Sequence, residues 1–396
     1  MIQTVRPLVD SVSMPNRHSS THSERLQVMS PIYLLLIVTL LNIQSNHADQ
    51  VEFEPAQPMP SAALDRQATI SRIAIGSCAQ TDKDQTIFNT IASQEPDIFL
   101  YIGDNVYATT EKDDPQLSSL KQAYRLLAQS DAFEQLRNQV PVLPTWDDHD
   151  FGLNDAGGDW PHKAQSEALF EYVWAIPKQA PSRQRRGIYH SQLIGQENTQ
   201  VQIIMLDTRF FRTPLTLLTE PHIHGRYTPS SAPDQSLLGE DQWSWLAEQL
   251  TIPAQLRIIV SSIQFLAEGH HWESWQLLPQ ERSRLFDLLR NKQVNNTIVV
   301  SGDRHLAALY KDEESLDFPL WELTTSSLNV PLSSFKTDIQ LEPGPNRVGL
   351  PFYDANFAMI EIDWEQAKLE LQIRNDHNEI VRQAQVLLKP PDVESH

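Results

Sequence analysis

Residues Asp97–Tyr107 read DIFLYIGDNVY, an apolar, β-rich run that stops abruptly in a cluster of polar side chains. The run predicts a strand over 97–103, and Gly103 lets the chain turn sharply and approach a ligand. The same abrupt change recurs in IGSC at Ile75–Cys78, TWDDHD at Thr145–Asp150, SSIQ at Ser261–Gln264 and SGDRH at Ser301–His305. Strand ends are where open α/β sheets assemble their sites.

Working outward, strand-like and helix-like segments alternate. Strands are expected at 72–76, 97–103 and 141–146, with helices near 84–94 and 117–138 between them. The rhythm returns with strands at 201–206, 256–262 and 297–301 and helices near 240–250 and 280–291. Such alternation predicts stacked strand-helix-strand units. Ile258-Ile259-Val260 and Ile298-Val299-Val300 are apolar without alternation, as strands covered on both faces should be. Near the C-terminus, 357–363 and 369–374 do alternate, which predicts an antiparallel hairpin at a sheet edge.

The chain has 396 residues, 40% hydrophobic and 21% charged, an ordinary globular composition that argues against disordered, fibrous and multi-span membrane classes. Its formal net charge is -20. So acidic a surface repels nucleic acid and anionic lipid at long range, so an anionic substrate has to be captured by local positive charge, and bound cations would supply it. No sequence-specific nucleic-acid partner is expected, and the sequence is silent on oligomeric state.

Residues 32–41 form a short apolar run after Arg25, too short to span a bilayer comfortably. A secretory signal over 1–48, ending near Ala48, is the expectation, with an N-terminal membrane anchor as the alternative and Met29 as a second possible start. Residues 49–70 read as a polar, proline-containing linker and 71–390 as the catalytic domain. Export would place the protein in the periplasm or outside the cell. Cys78 is the one cysteine, so it is either a buried small hydrophobe or a metal-bound thiolate.

The strand-end clusters contain Cys78, Asp104, Tyr107, Asp148, Asp303 and His305, an inventory of thiolate, carboxylate, phenolate and imidazole donors that suits metals. Three carboxylates in Asp147-Asp148-His149-Asp150 repel one another strongly if dry, and a cation removes the conflict. Each residue also has a bland reading on its own: Asp104 as a turn residue, Tyr107 as a core aromatic, His305 as a cap.

Taken in order, GSC, GDNVY, WDDHD and SGDRH resemble the PhoD-type alkaline phosphatase and phosphodiesterase family of the metallophosphatase superfamily. LDTRFFR at 206–212, SWQLLPQER at 274–282 and ELTTSSL at 322–328 extend the resemblance over roughly 72–373. It implies a four-layer α/β/β/α sandwich carrying the C-terminal β-hairpin, and a multinuclear site of Fe3+ with Ca2+. By position, Cys78 and Tyr107 match the family's iron ligands and Asp104 its bridging carboxylate. Asp148, Asp303 and His305 match the remaining ligand motifs, and Gln264 faces the second ion. Purple acid phosphatases share the GDxxY pattern but carry a histidine where this chain has Asp303, and no cysteine in the first motif.

The resemblance implies metal-dependent hydrolysis of small-molecule or lipid phosphate esters, with His149 protonating the leaving oxygen or stabilising the transition state. Arg209 is either a phosphate contact or half of a structural ion pair. Arg304 lies within a ligand motif, and its direction is open. Two other classes stay open on the residues: an exported metal- or phosphate-binding protein without catalysis, and a metal-dependent hydrolase of a non-phosphate bond.

Overall fold

Along β5, β8 and β9 (Val201–Met205, Leu256–Val260, Thr297–Ser301) successive apolar residues face opposite cores. Ile203, Met205, Ile258, Val260, Ile298 and Val300 point one way, and Ile204, Ile259 and Val299 the other. The unbroken apolar runs thus follow from burial on two sides, each fully buried aliphatic side chain contributing roughly 1.5–3 kcal/mol. The computed structural model describes residues 53–108, 114–222, 225–335 and 344–389.

Two sheets stack face to face. In chain order the strands are β1 Arg72–Gly76, β2 Ile98–Ile102, β3 Val142–Thr145, β4 His190–Ile194, β5, β6 Leu217–His222, β7 Gly225–Tyr227, β8 and β9. They continue with β10 Ala307–Asp312, β11 Leu320–Thr325, β12 Arg347–Phe352, β13 Asn356–Asp363, β14 Lys368–Asn375 and β15 Ile380–Leu387. One sheet has the order β15-β14-β13-β1-β2-β3 and the other β12-β10-β11-β9-β8-β5-β4, with β6-β7 as a separate ribbon. Strands β1, β2 and β3 run parallel, as do β5, β8, β9 and β11.

Between the sheets lies an aliphatic core to which β1 and β2 contribute Ile73, Ile75, Leu100 and Ile102. Outside the first sheet, Phe99 and Tyr101 pack against Phe88, Tyr124, Phe133 and Phe170 of its covering helices. Trp243, Leu246, Leu285 and Leu289, from helices Gly239–Gln249 and Pro279–Asn291, cover the second. The result is the four-layer α/β/β/α sandwich.

Several details differ from the sequence reading. The single helix expected over 117–138 is two, Ser118–Ala128 and Asp131–Gln139, because Ser130 caps the second by accepting a hydrogen bond from the Phe133 amide at 3.3 Å. The C-terminal hairpin of β13 and β14 exists, but it is not at the edge: β13 pairs with β1, and β15 continues the meander to become the edge strand. Residues 53–70 are not a free linker. Ala56, Met59 and Ile70 are buried, and the Met59 and Ala62 amides bond to the carbonyls of Val173 and Arg137. The expected signal over 1–48 lies outside the described residues.

Candidate metal centre

Every parallel strand of both sheets delivers polar residues from its C-terminal end to one region. From the first sheet come Cys78, Asp104 and Asp147–Asp150; from the second, Asp207–Arg209, Ser262, Asp303–His305 and Ser326. The ends interlock: the Cys78 amide bonds to the Gly103 carbonyl at 3.3 Å, Ser77 Oγ donates to the Thr325 carbonyl at 2.9 Å, and the Leu328 amide donates to the Ser77 carbonyl at 2.8 Å. Cys78, Asp104, Asp303 and His305 all have positive φ, between 50° and 67°. Four non-glycine residues in this region, at three strand ends, is concentrated backbone strain of the kind found at ligand sites.

Glycine is required where the turns touch. Gly103 has φ +112°, and a Cβ there would lie 2.7 Å from Asp147 Cβ. Gly103→Ala should therefore cost about 2–4 kcal/mol in chemical denaturation, a sum of backbone strain and overpacking. A loss below ~1 kcal/mol would mean that the two turns are not held this tightly.

Asp104 is the hub. Its Oδ2 accepts from Tyr107 Oη at 3.0 Å and lies 3.5 Å from Cys78 Sγ, while Oδ1 accepts from the His149 amide at 3.2 Å. Tyr107 Oη lies 3.4 Å from His305 Nε2, and the Tyr107 and His149 rings stack at 4.3 Å between centroids. Ser326 Oγ sits 3.0 Å from Cys78 Sγ and accepts from the His305 amide at 2.8 Å. The other ring nitrogen of His305, Nδ1, bonds to the Val330 carbonyl. That contact assigns the proton to Nδ1 and leaves the Nε2 lone pair facing the cluster, the second-shell arrangement typical of a ligand histidine.

The three carboxylates of the acidic run have separate fates. Asp150 accepts from the amides of Asp104, Asn105 and Asp147 at 3.2, 3.1 and 2.6 Å, so it fastens one turn to the other. Asp147 accepts from Ser262 Oγ at 2.6 Å and Arg209 Nε at 2.6 Å. Asp148 accepts the Asp155 amide through Oδ2 at 2.7 Å, and its buried Oδ1 finds no donor among the described residues.

Two overlapping groups could hold metal ions: Cys78, Asp104 and His305, and Asp104, Asp148 and His149, with ligand atoms in each group within 4.8 Å of one another. A third, Asp148 with Asp155 and Glu273, meets the same distance criterion. Arginines already compensate part of it, since Arg209 and Arg212 pair with Glu273 and Arg226 pairs with Asp155.

The electrostatics fit cations at the first two groups. Burial pushes the Cys78 thiol well above its usual range, and the Asp104 carboxylate adds to the shift. Burial, then Asp148 and Asp147, push Asp104 up; burial, then Asp104, push Tyr107 up. Asp303 is also raised, by burial and then by Asp147. Asp148 is held below the carboxylate range although burial opposes this, chiefly by His149 and Arg209. Anionic donors crowded this closely in a dry site need positive charge, and the orphaned Asp148 Oδ1 is a place to supply it.

Two candidates are engaged with other partners. Arg209 has no exposed surface, and its guanidinium is held by Asp147 and by Glu273 at 2.8 Å, the ion pair that was one of its two readings. Burial works against its charge, and Asp147 and Glu273 more than offset that, so its pKa is raised. Gln264 is also fully buried, and its amide donates to Tyr310 Oη and Thr324 Oγ1, both at 3.1 Å. Among the described residues no hydrogen bond ties it to the other candidate ligands. Asp155, Glu273 and Ser326 went unassigned in the sequence: the first two come from loops with no strand signal, and Ser326 lies in a quoted stretch without a role.

Two stacked sheets between helices, with hard and soft anionic donors gathered where the strands end, define a metal-binding α/β/β/α sandwich. The chain belongs to the PhoD-like phosphatase family, whose model matches residues 73–348. Alkaline phosphatase D of Bacillus subtilis (strain 168) is 23% identical over 288 residues, which are 63% of this chain and 47% of that protein. The chain thus spans about half the length of that curated relative. The solved structure of PhoD matches with a TM-score of 0.62 at 19% identity, over 84% of this chain and 70% of that one. GAP50, described as the anchor in the inner membrane complex of Plasmodium, matches at 0.50 with 11% identity, over 82% and 91%. Likeness at these identities speaks to the fold. The family is that of a metal-dependent, phosphatase-type hydrolase. Among the described residues no helix is long and apolar enough to cross a membrane.

Proposed function

We propose that the protein is an exported hydrolase of phosphate esters that uses Fe3+ and Ca2+. The observation that carries this reading is the pair of donor groups sharing Asp104, one with Cys78 and His305 and the other with Asp148 and His149. Thiolate and phenolate from Cys78 and Tyr107 suit a trivalent iron, and the carboxylate-rich neighbouring group suits a hard divalent ion. Such cations, when bound, supply positive charge to phosphoryl oxygens and acidify water for attack.

The chain's own residues do the rest. Asp104 joins the two groups, and the bond from His305 Nδ1 to Val330 presents Nε2 to the cluster. His149 is part-buried, stacked on Tyr107 and held by its amide on Asp104, with Nε2 4.0 Å from Asp148 Oδ1. Where Asp104 and Asp148 alone hold the second ion, its imidazole is left to pass a proton to the leaving oxygen. Arg209 acts at one remove, by fixing Asp147 between the turns.

The test is release of nitrophenolate from mono- and bis-(p-nitrophenyl) phosphate by protein loaded with iron and calcium. Turnover should be abolished by chelator and restored by the metals. Absence of turnover of either ester would defeat the hydrolytic reading and favour a protein that only binds metal or phosphate.

A further inference from the structure

The exposed large apolar side chains among the described residues fall into two sets. The aliphatic ones lie on β6, β12 and β15; the aromatic ones, Trp272 at 39% exposure and Phe335 at 44%, both adjoin the metal centre. Phe335 meets the His305 ring edge-on, with centroids 5.5 Å apart and planes at 85°. It follows the short 3-10 turn Leu332–Ser334, which is tied back through the Leu332 amide to the His305 carbonyl at 2.7 Å. Trp272 immediately precedes Glu273, whose carboxylate lies within 4.8 Å of a ligand atom of Asp148. Its amide is fixed on His270 Nδ1 at 3.2 Å, and the Arg304 guanidinium packs over its ring at 5.6 Å.

We infer that Trp272 and Phe335 are a stacking platform for the organic part of the substrate, which selects phosphate esters whose alcohol carries a planar aromatic ring, of the aryl or nucleoside kind. This rests on the hydrolytic reading above and adds a substrate class to it. Leaving a tryptophan and a phenylalanine part-exposed is unfavourable unless something covers them. A flat ring matches aromatic faces, and stacking is tolerant of which base or aryl group is offered. An acyl chain would call for a continuous aliphatic groove, whereas here Trp272 lies against the Arg304 guanidinium and Phe335 against the His305 ring. Arg304, beside Trp272, adds a cation next to the position of the ester in a molecule of net charge -20. A small aryl or nucleoside ester also escapes much of the repulsion that a polynucleotide would meet.

Binding separates this from the hydrolytic reading. The metal-loaded protein would be titrated calorimetrically with the non-hydrolysable methylenephosphonate analogue of adenosine 5′-phosphate and with propylphosphonate, which share a phosphonate group and differ in the ring. The nucleotide should bind about tenfold or more tightly, the range expected of base stacking on an aromatic side chain. That ratio should fall towards one in Trp272→Ala, fall part-way in Phe335→Ala, and largely survive in Trp272→Phe. Equal affinities in the native protein, or an unchanged ratio in both alanine variants, would overturn the inference. So would tighter binding of dihexanoyl phosphatidic acid than of the nucleotide, which would assign the aromatics to a lipid chain. A ring preference without turnover of any ester keeps the platform and defeats the hydrolase; turnover without ring preference does the reverse.

Discussion

Asp104→Asn should lower kcat/KM on both nitrophenyl esters by on the order of 1,000-fold, which corresponds to about 4 kcal/mol of lost transition-state stabilisation. Asparagine keeps the shape and can still accept the His149 amide on its oxygen, so the fold should survive. It loses the charge through which one carboxylate serves both donor groups. Metal analysis of the purified variant should therefore show both ions depleted, and not one. Cys78→Ala is the narrower lesion. It removes a donor from the first group only, so iron should fall and calcium remain, with activity lost along with the iron. An Asp104→Asn protein that kept its metal and a tenth of its activity would show that the centre is organised around some other residue.

Arg209→Ala should destabilise the protein by about 3–5 kcal/mol, the usual cost of leaving buried charge uncompensated. Arg209 has no exposed surface and is held by Asp147 and Glu273, which are themselves buried. Truncation strands both carboxylates, and Arg212 at 3.1 Å can offset only the Glu273 side. Urea denaturation of the metal-loaded variant reads the loss. A guanidinium in contact with phosphate would give the opposite signature, a raised KM at unchanged stability, and that pattern would restore Arg209 to the substrate site.

The sequence made six of the seven parallel strands and most of the donor set legible for one physical reason. A strand buried on both faces must be apolar throughout, so the first polar residues after it stand out, and in parallel strands those residues meet at one end of the sheet. Cys78, Asp104, Tyr107 and His305 were readable in this way, and they come together around Asp104. Gln264 satisfies the same pattern, but its strand end turns it inward to Tyr310 and Thr324, a direction that composition does not encode. For Arg209 the sequence left two readings open, and its burial between Asp147 and Glu273 favours the ion pair. Asp155 and Glu273 come from loops whose positions depend on the whole fold. β15 reads IVRQAQVL, too polar to stand out, and with it the edge of the sheet was missed.

The three amide hydrogen bonds of Asp150 have a further consequence. Because that carboxylate rivets the loop after β2 to the loop after β3, two walls of the ion cage are joined by the polypeptide itself. A cation arriving there finds a finished socket, and its affinity need not be drawn down by the ordering of a loose chain, as happens in small domains that fold around zinc.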